Sequence, residues 1–172
     1  MARIRKTAIP RYRSLIRDKG AVLFELLEEI EKAARALPAT AAQPPGPVDN
    51  TGTASTPTAS ADHLAHLQTG LLDSCARLRA ATAELIAAAP QQPDLVGATA
   101  YHFLHWLGVL AGGWQLALAA ARAATESDPG TARATADMAA FYAAHILPRT
   151  LAHEATVRNG VASVATASAA DL

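Results

Sequence analysis

The residues of this 172-residue chain best suited to chemistry are six histidines and one cysteine. His63 and His66, and His102 and His105, form two pairs at i, i+3. That spacing puts both imidazoles of a pair on one face of a helix. Four such rings between antiparallel helices could hold a metal ion, with Asp62 adding an oxygen. Helical di-metal sites, however, draw on Glu-x-x-His pairs and bridging carboxylates, and the chain has no such pair. Histidines bonded to backbone in a core or interface account for the same residues, so no metal is expected. His145 and His153-Glu154 suggest an acid–base pair only superficially, because neighbours on a helix point about 100° apart. Cys75 falls on an apolar stripe and reads as a small buried hydrophobe rather than a nucleophile. There is no Gly-x-Gly-x-x-Gly, no P-loop and no Gly-x-Ser-x-Gly. No catalytic, cofactor-binding or metal-ligating residue is expected.

These side chains must be carried on helices. Hydrophobic residues make up 51% of the chain but aromatics only 5%, and alanine dominates the apolar set. Alanine is the best helix former, whereas the β-branched and aromatic residues that build sheets are scarce. The expected fold is all-α, an antiparallel bundle of about four helices. The formal net charge is zero, so no global field draws in nucleic acid or an anionic membrane. A lone cysteine rules out an intrachain disulfide and fits a reducing, cytoplasmic compartment.

Arg3, Arg5, Lys6, Arg11, Arg13, Arg17 and Lys19 supply seven of the fifteen basic residues. No apolar run follows them, since Glu25 interrupts Ala21 to Leu27, so a targeting signal is not expected. The segment reads as a solvated lead-in; the sharper alternative is a surface for anionic phosphates or an acidic partner. Leu23, Leu26, Leu27, Ile30, Ala33 and Leu37 recur at helical spacing and predict an amphipathic helix ended by Pro38. Residues 38–60, rich in Pro, Gly and Thr, hold five of the ten prolines and almost no apolar bulk, which predicts a flexible linker.

Ser60 is the expected N-cap of a second helix, whose stripe runs through Leu64, Leu67, Leu71, Cys75, Leu78, Thr82 and Leu85 to Pro90. A short loop at residues 91–94 predicts a third helix, about 95–124, antiparallel to the second. Between Phe103 and Ala121 the third helix carries no charge, as a nearly all-round-buried helix would. Leu95 to Ala121 is long enough to cross a bilayer, and Gly108-x-x-x-Gly112 is a pattern of membrane helix pairs. His102, His105, Gln115 and Thr99 argue against a span, and the glycines serve equally for close packing in a bundle. Ser127 to Gly130 turn the chain into a fourth helix, about 132–158, with Met138, Phe141, His145 and Ala152 inward. Pro148 should kink it, and Asn159-Gly160 should end it, leaving a frayed tail over 161–172.

FLHWLGVLAGGW, Phe103 to Trp114, resembles the glycine- and tryptophan-containing helix in the C-terminal extension of larger bacterial acyl-CoA dehydrogenases. Phe103 stands where tyrosine is usual and His105 where arginine is frequent. FYAAHILP, Phe141 to Pro148, is similar to that family's next helix, an aromatic pair leading to Leu-Pro, and upstream Arg5-Lys6 and the amphipathic helix to Leu37 resemble the segment that follows the family's flavin-side helical bundle. The resemblance implies that 61–160 form helical hairpins like that C-terminal domain. Trp106, Gly108, Gly112, Gly113, Trp114, Phe141 and Pro148 would then serve packing and subunit contact.

In that family FAD accepts the β-hydride of an acyl-CoA thioester while a glutamate takes the α-proton. The motif that carries the glutamate, similar to Tyr-Glu-Gly-Thr, does not occur here, and Glu25, Glu28 and Glu29 sit on a regular helix. The resemblance thus implies a C-terminal fragment or small subunit that binds no FAD by itself. It would self-associate or join a flavin-bearing acyl-CoA dehydrogenase subunit. The alternative is a stand-alone helical interaction module.

Overall fold

The computed structural model describes residues 17–37, 58–92 and 95–166. Arg3, Arg5, Lys6, Arg11 and Arg13, residues 38–57 of the expected linker, and 167–172 of the expected tail lie outside them. The described residues form helices α1 (Ala21–Arg35), α2 (Thr58–Ala88), α3 (Leu95–Glu126), α4 (Pro129–His145) and α5 (Arg149–Thr166), and no strand occurs among them. The expected all-α bundle is therefore present, with its last helix divided at Pro148.

α1 does not extend back into the basic lead-in. Lys19 (φ 53°) and Gly20 (φ 77°) both take left-handed backbone, and the Asp18 carboxylate accepts the Gly20 N–H at 2.9 Å. That turn ends continuity with anything before it. Leu23, Leu27, Ile30 and Ala34 are buried on one face, against α2 and α3. The amphipathic spacing of the sequence dictates this burial directly.

The α2 stripe is buried along its length, from Leu64 through Leu67, Leu71, Cys75, Leu78 and Thr82 to Leu85. Buried Thr82 donates its hydroxyl to the Leu78 carbonyl at 2.7 Å, which satisfies the one polar group on that stripe. The helix starts at Thr58, so Ser60 falls inside the first turn instead of at the cap.

α3 is the central helix and packs against all four others. The stretch Gly97–Glu126 is long and apolar enough to cross a membrane by length and composition, yet it packs within the bundle. Its direction follows from its neighbours: Trp106 meets Ser74, while Gly113, further along, meets Leu71 and Leu67. α2 and α3 are therefore antiparallel, as the short loop requires.

Asp128 caps α4, accepting from the N–H of Gly130 at 2.9 Å and of Thr131 at 3.1 Å, with Pro129 opening the helix. This arrangement uses proline where its missing N–H costs nothing. At the other end, the N–H groups of Ile146 and Leu147 both donate to the Tyr142 carbonyl. Pro148 has no N–H to continue the ladder, and α5 starts at Arg149. The expected kink is thus a full break.

Two expectations for this region are corrected. Met138, Phe141, His145 and Ala152 point outward, with Met138 57% and Phe141 59% exposed. The inward positions are Ala136, Ala139 and, partly, Tyr142 and Ala143. α4 lies close to its neighbours on small side chains, and that approach selects alanine over the larger residues. Asn159-Gly160 does not end the last helix, which continues to Thr166. A Cβ on Gly160 would sit 2.8 Å from the Thr99 methyl, so this glycine allows α5 to approach α3.

Candidate functional site

α3, which carries no charged side chain from Phe103 to Ala121, presents two different faces. Inward, Trp106 is fully buried and its indole N–H donates to the Ser74 hydroxyl at 3.0 Å. Gly113 is buried under Leu71, 2.9 Å from where a Cβ would stand. A Cβ on Gly112 would fall on the Tyr142 hydroxyl and 3.1 Å from its Cζ. The Tyr142 hydroxyl donates to the Val109 carbonyl at 2.8 Å, which fixes the ring across the glycine. Burial raises the pKa of this phenol, so it stays a donor at neutral pH. Gly112 and Gly113 therefore serve packing within the bundle, and Trp114 is half-buried against the core.

Outward, the helix departs from the nearly all-round burial expected of it, although Trp106 and Gly112 themselves are enclosed. Those residues are covered by α2 and α4. The open part is Tyr101 (64% exposed), Leu104 (41%), His105 and Gly108, at i, i+3, i+4 and i+7 of one face. No atom lies within 4 Å of a Cβ placed on Gly108. Leu104, His105, Gly108, Val109 and Tyr142 line a shallow cavity of about 320 Å³ there. Of the seven residues read as packing or contact residues, Phe141 and Pro148 are also exposed. Phe141 borders a larger groove of about 640 Å³ between α2 and α4, with His66, Thr69, Gly70, Ala140 and His145.

Among the described residues, the polar groups on that groove are His66, Thr69 and His145, and no arginine or lysine lines either cavity. These residues do not fit FAD, whose pyrophosphate calls for converging N–H or cationic donors.

The expected histidine pairs are not brought together with each other. The side chain of His63 lies outside the described residues, and His66 stands with Phe141 and His145 at the groove. His102 and His105 instead meet His153 of α5, an encounter that helical spacing could not reveal. Among the described residues no group of three or more His, Cys, Asp or Glu side chains is arranged to hold a metal ion. Cys75 is buried, and desolvation pushes its thiol up to about 12. It remains protonated at neutral pH and is no nucleophile.

The polar work visible on this surface is structural. Glu154 of α5 binds Arg77 of α2 at 3.2 Å and Arg158 at 3.0 Å. Glu31 of α1 binds Arg79 of α2 at 3.1 Å and Arg35 at 3.0 Å. Each carboxylate joins two guanidinium groups, one of them on a different helix.

The described residues thus form a helical bundle whose central helix is covered on one side and partly open on the other. The chain belongs to the acetyl-CoA dehydrogenase C-terminal-like family, whose sequence model matches residues 26–168. That match includes both motifs that resemble the C-terminal region of acyl-CoA dehydrogenases and reaches back into α1. Comparison with curated proteins and with solved structures gives no match.

Proposed function

We propose that this chain is the packing and subunit-contact part of an acyl-CoA dehydrogenase-type flavoenzyme in the cytoplasm, present as a fragment or a small subunit. On this reading the α,β-dehydrogenation of acyl-CoA thioesters uses FAD and a catalytic glutamate held by a flavin-bearing partner. Family membership supports the assignment to that enzyme class. The observation that carries the contact role is the exposed α3 face of Tyr101, Leu104 and Gly108, on a helix with no charged side chain from Phe103 to Ala121. Exposed apolar surface on a core helix marks an interface, and the Gly108 opening would admit a side chain from a partner.

Sedimentation of the purified chain, alone and mixed with an acyl-CoA dehydrogenase flavoprotein, tests this reading. Association is expected, and Leu104→Glu should abolish it without loss of helicity. A chain that remains monomeric in both conditions would overturn the contact role. Flavin absorbance retained by the isolated chain through gel filtration would overturn the division of labour.

A further inference from the structure

His102 on α3 and His153 on α5 approach Nδ1 to Nδ1 at 3.2 Å. At that distance the two nitrogens can share one proton, one ring donating and the other accepting. Two bare nitrogens would oppose their lone pairs, and two protonated ones would oppose N–H groups and positive charges. His105 stacks on His153, with ring centroids 5.5 Å apart and planes inclined by 21°. Tyr101 stands edge-on to His102 at 5.0 Å and lies 4.3 Å from the His105 ring.

The surrounding groups offer little to balance a second charge. On α5, the Glu154 carboxylate is occupied by Arg158 and by Arg77 of α2, and Arg149, one turn before His153, is a further cation. From α4, Tyr142 shares the small cavity with His105 but gives its hydroxyl hydrogen to Val109. Burial, followed by the fields of His102 and His105, holds the His153 imidazole below its ordinary pKa.

We propose that the His102–His153 contact is a single-proton latch between α3 and α5, which opens when mildly acidic solution supplies the second proton. An exposed His153 ring in the unfolded chain titrates near about 6.5, and in the fold it takes up its proton only at lower pH. Between those two values the unfolded or opened form thus binds more protons. Stability from the latch is therefore complete above about pH 6.5 and is lost as pH falls through the lowered value. What loosens is α5, the cover of α3 at Thr99, where Gly160 makes its close approach.

Amide hydrogen exchange of α5, corrected for the intrinsic effect of pH, reads the latch directly. Between about pH 7 and about pH 5, protection over residues 150–160 should fall about tenfold more than protection in α2. His153→Gln keeps a hydrogen-bonding group that does not titrate, so this differential loss should disappear in the variant. An equal loss in wild type and His153→Gln would overturn the proposal. Imidazole ¹⁵N resonances of the wild-type chain provide a readout independent of any variant. Two separated titration steps, with one Nδ1 bare and one protonated at neutral pH, are expected. Coincident titration of both rings near the free-histidine value would overturn it.

Discussion

Gly108 and Gly112 lie one turn apart on the same helix, and substituting each by alanine should have opposite consequences. The gain in helix propensity, about 1 kcal/mol for Gly to Ala, is common to both sites. At Gly108 nothing lies within 4 Å of the new Cβ, so Gly108→Ala should stabilise by about that amount. At Gly112 the Cβ lands on the Tyr142 hydroxyl. The ring must swing away, which breaks its 2.8 Å bond to Val109, worth about 1 kcal/mol. Displacing the packed ring from between α3 and α4 adds about 1–3 kcal/mol. Subtracting one variant from the other cancels propensity and leaves the cost of the clash, about 2–4 kcal/mol. For a chain of this size each kcal/mol moves the midpoint by about 2–4 °C, so the variants should differ by several degrees. Urea unfolding at low protein concentration, followed by helical circular dichroism, gives the free energies without interference from association. Tyr142→Phe removes the hydroxyl, and in that background the difference should shrink by about 1 kcal/mol. A difference below about 0.5 kcal/mol between the two alanine variants would refute the assignment of Gly112 to an internal α3–α4 contact.

Trp106→Phe should cost about 2–4 kcal/mol, because it opens a cavity at a fully buried site and leaves the Ser74 hydroxyl, 3.0 Å from the indole nitrogen, without that partner; urea denaturation measures it, and a loss below about 1 kcal/mol would contradict the packing described. Glu154→Gln should destabilise by about 1–3 kcal/mol, since the carboxylate is only 14% exposed and binds both Arg77 and Arg158; a double-mutant cycle with Arg77→Met should show coupling, and additive losses would count against the bridge between α2 and α5. Cys75, with its thiol at about 12 from burial, should react with a disulfide reagent only as fast as the bundle opens; labelling of the native chain at the rate of a free thiol would show that the site is accessible.

Much of the bundle is legible in the sequence because one-dimensional spacing determines which side of a helix is apolar. The α2 stripe from Leu64 to Leu85 and the buried face of α1 follow from recurrence at three and four residues. The end of α2 near Pro90 and a distortion at Pro148 follow from a missing N–H, although the sequence predicts only a kink at Pro148 where the fold has a full break. The likeness of FLHWLGVLAGGW and FYAAHILP to acyl-CoA dehydrogenase C-terminal helices was likewise readable, and the family match over 26–168 agrees with it. Spacing does not say what stands opposite a face. That depends on the register between helices, which side-chain interdigitation sets only when the chain is folded. Tertiary structure therefore decided that Gly112 is closed by Tyr142 while Gly108, one turn away, is open. It turned Phe141 outward, because α4 approaches its neighbours closely enough to require alanine at the inward positions. It also paired His102 with His153, 51 residues apart in the chain: helical period places each ring on a face, but only the packing of α5 on α3 brings the two nitrogens within hydrogen-bond distance.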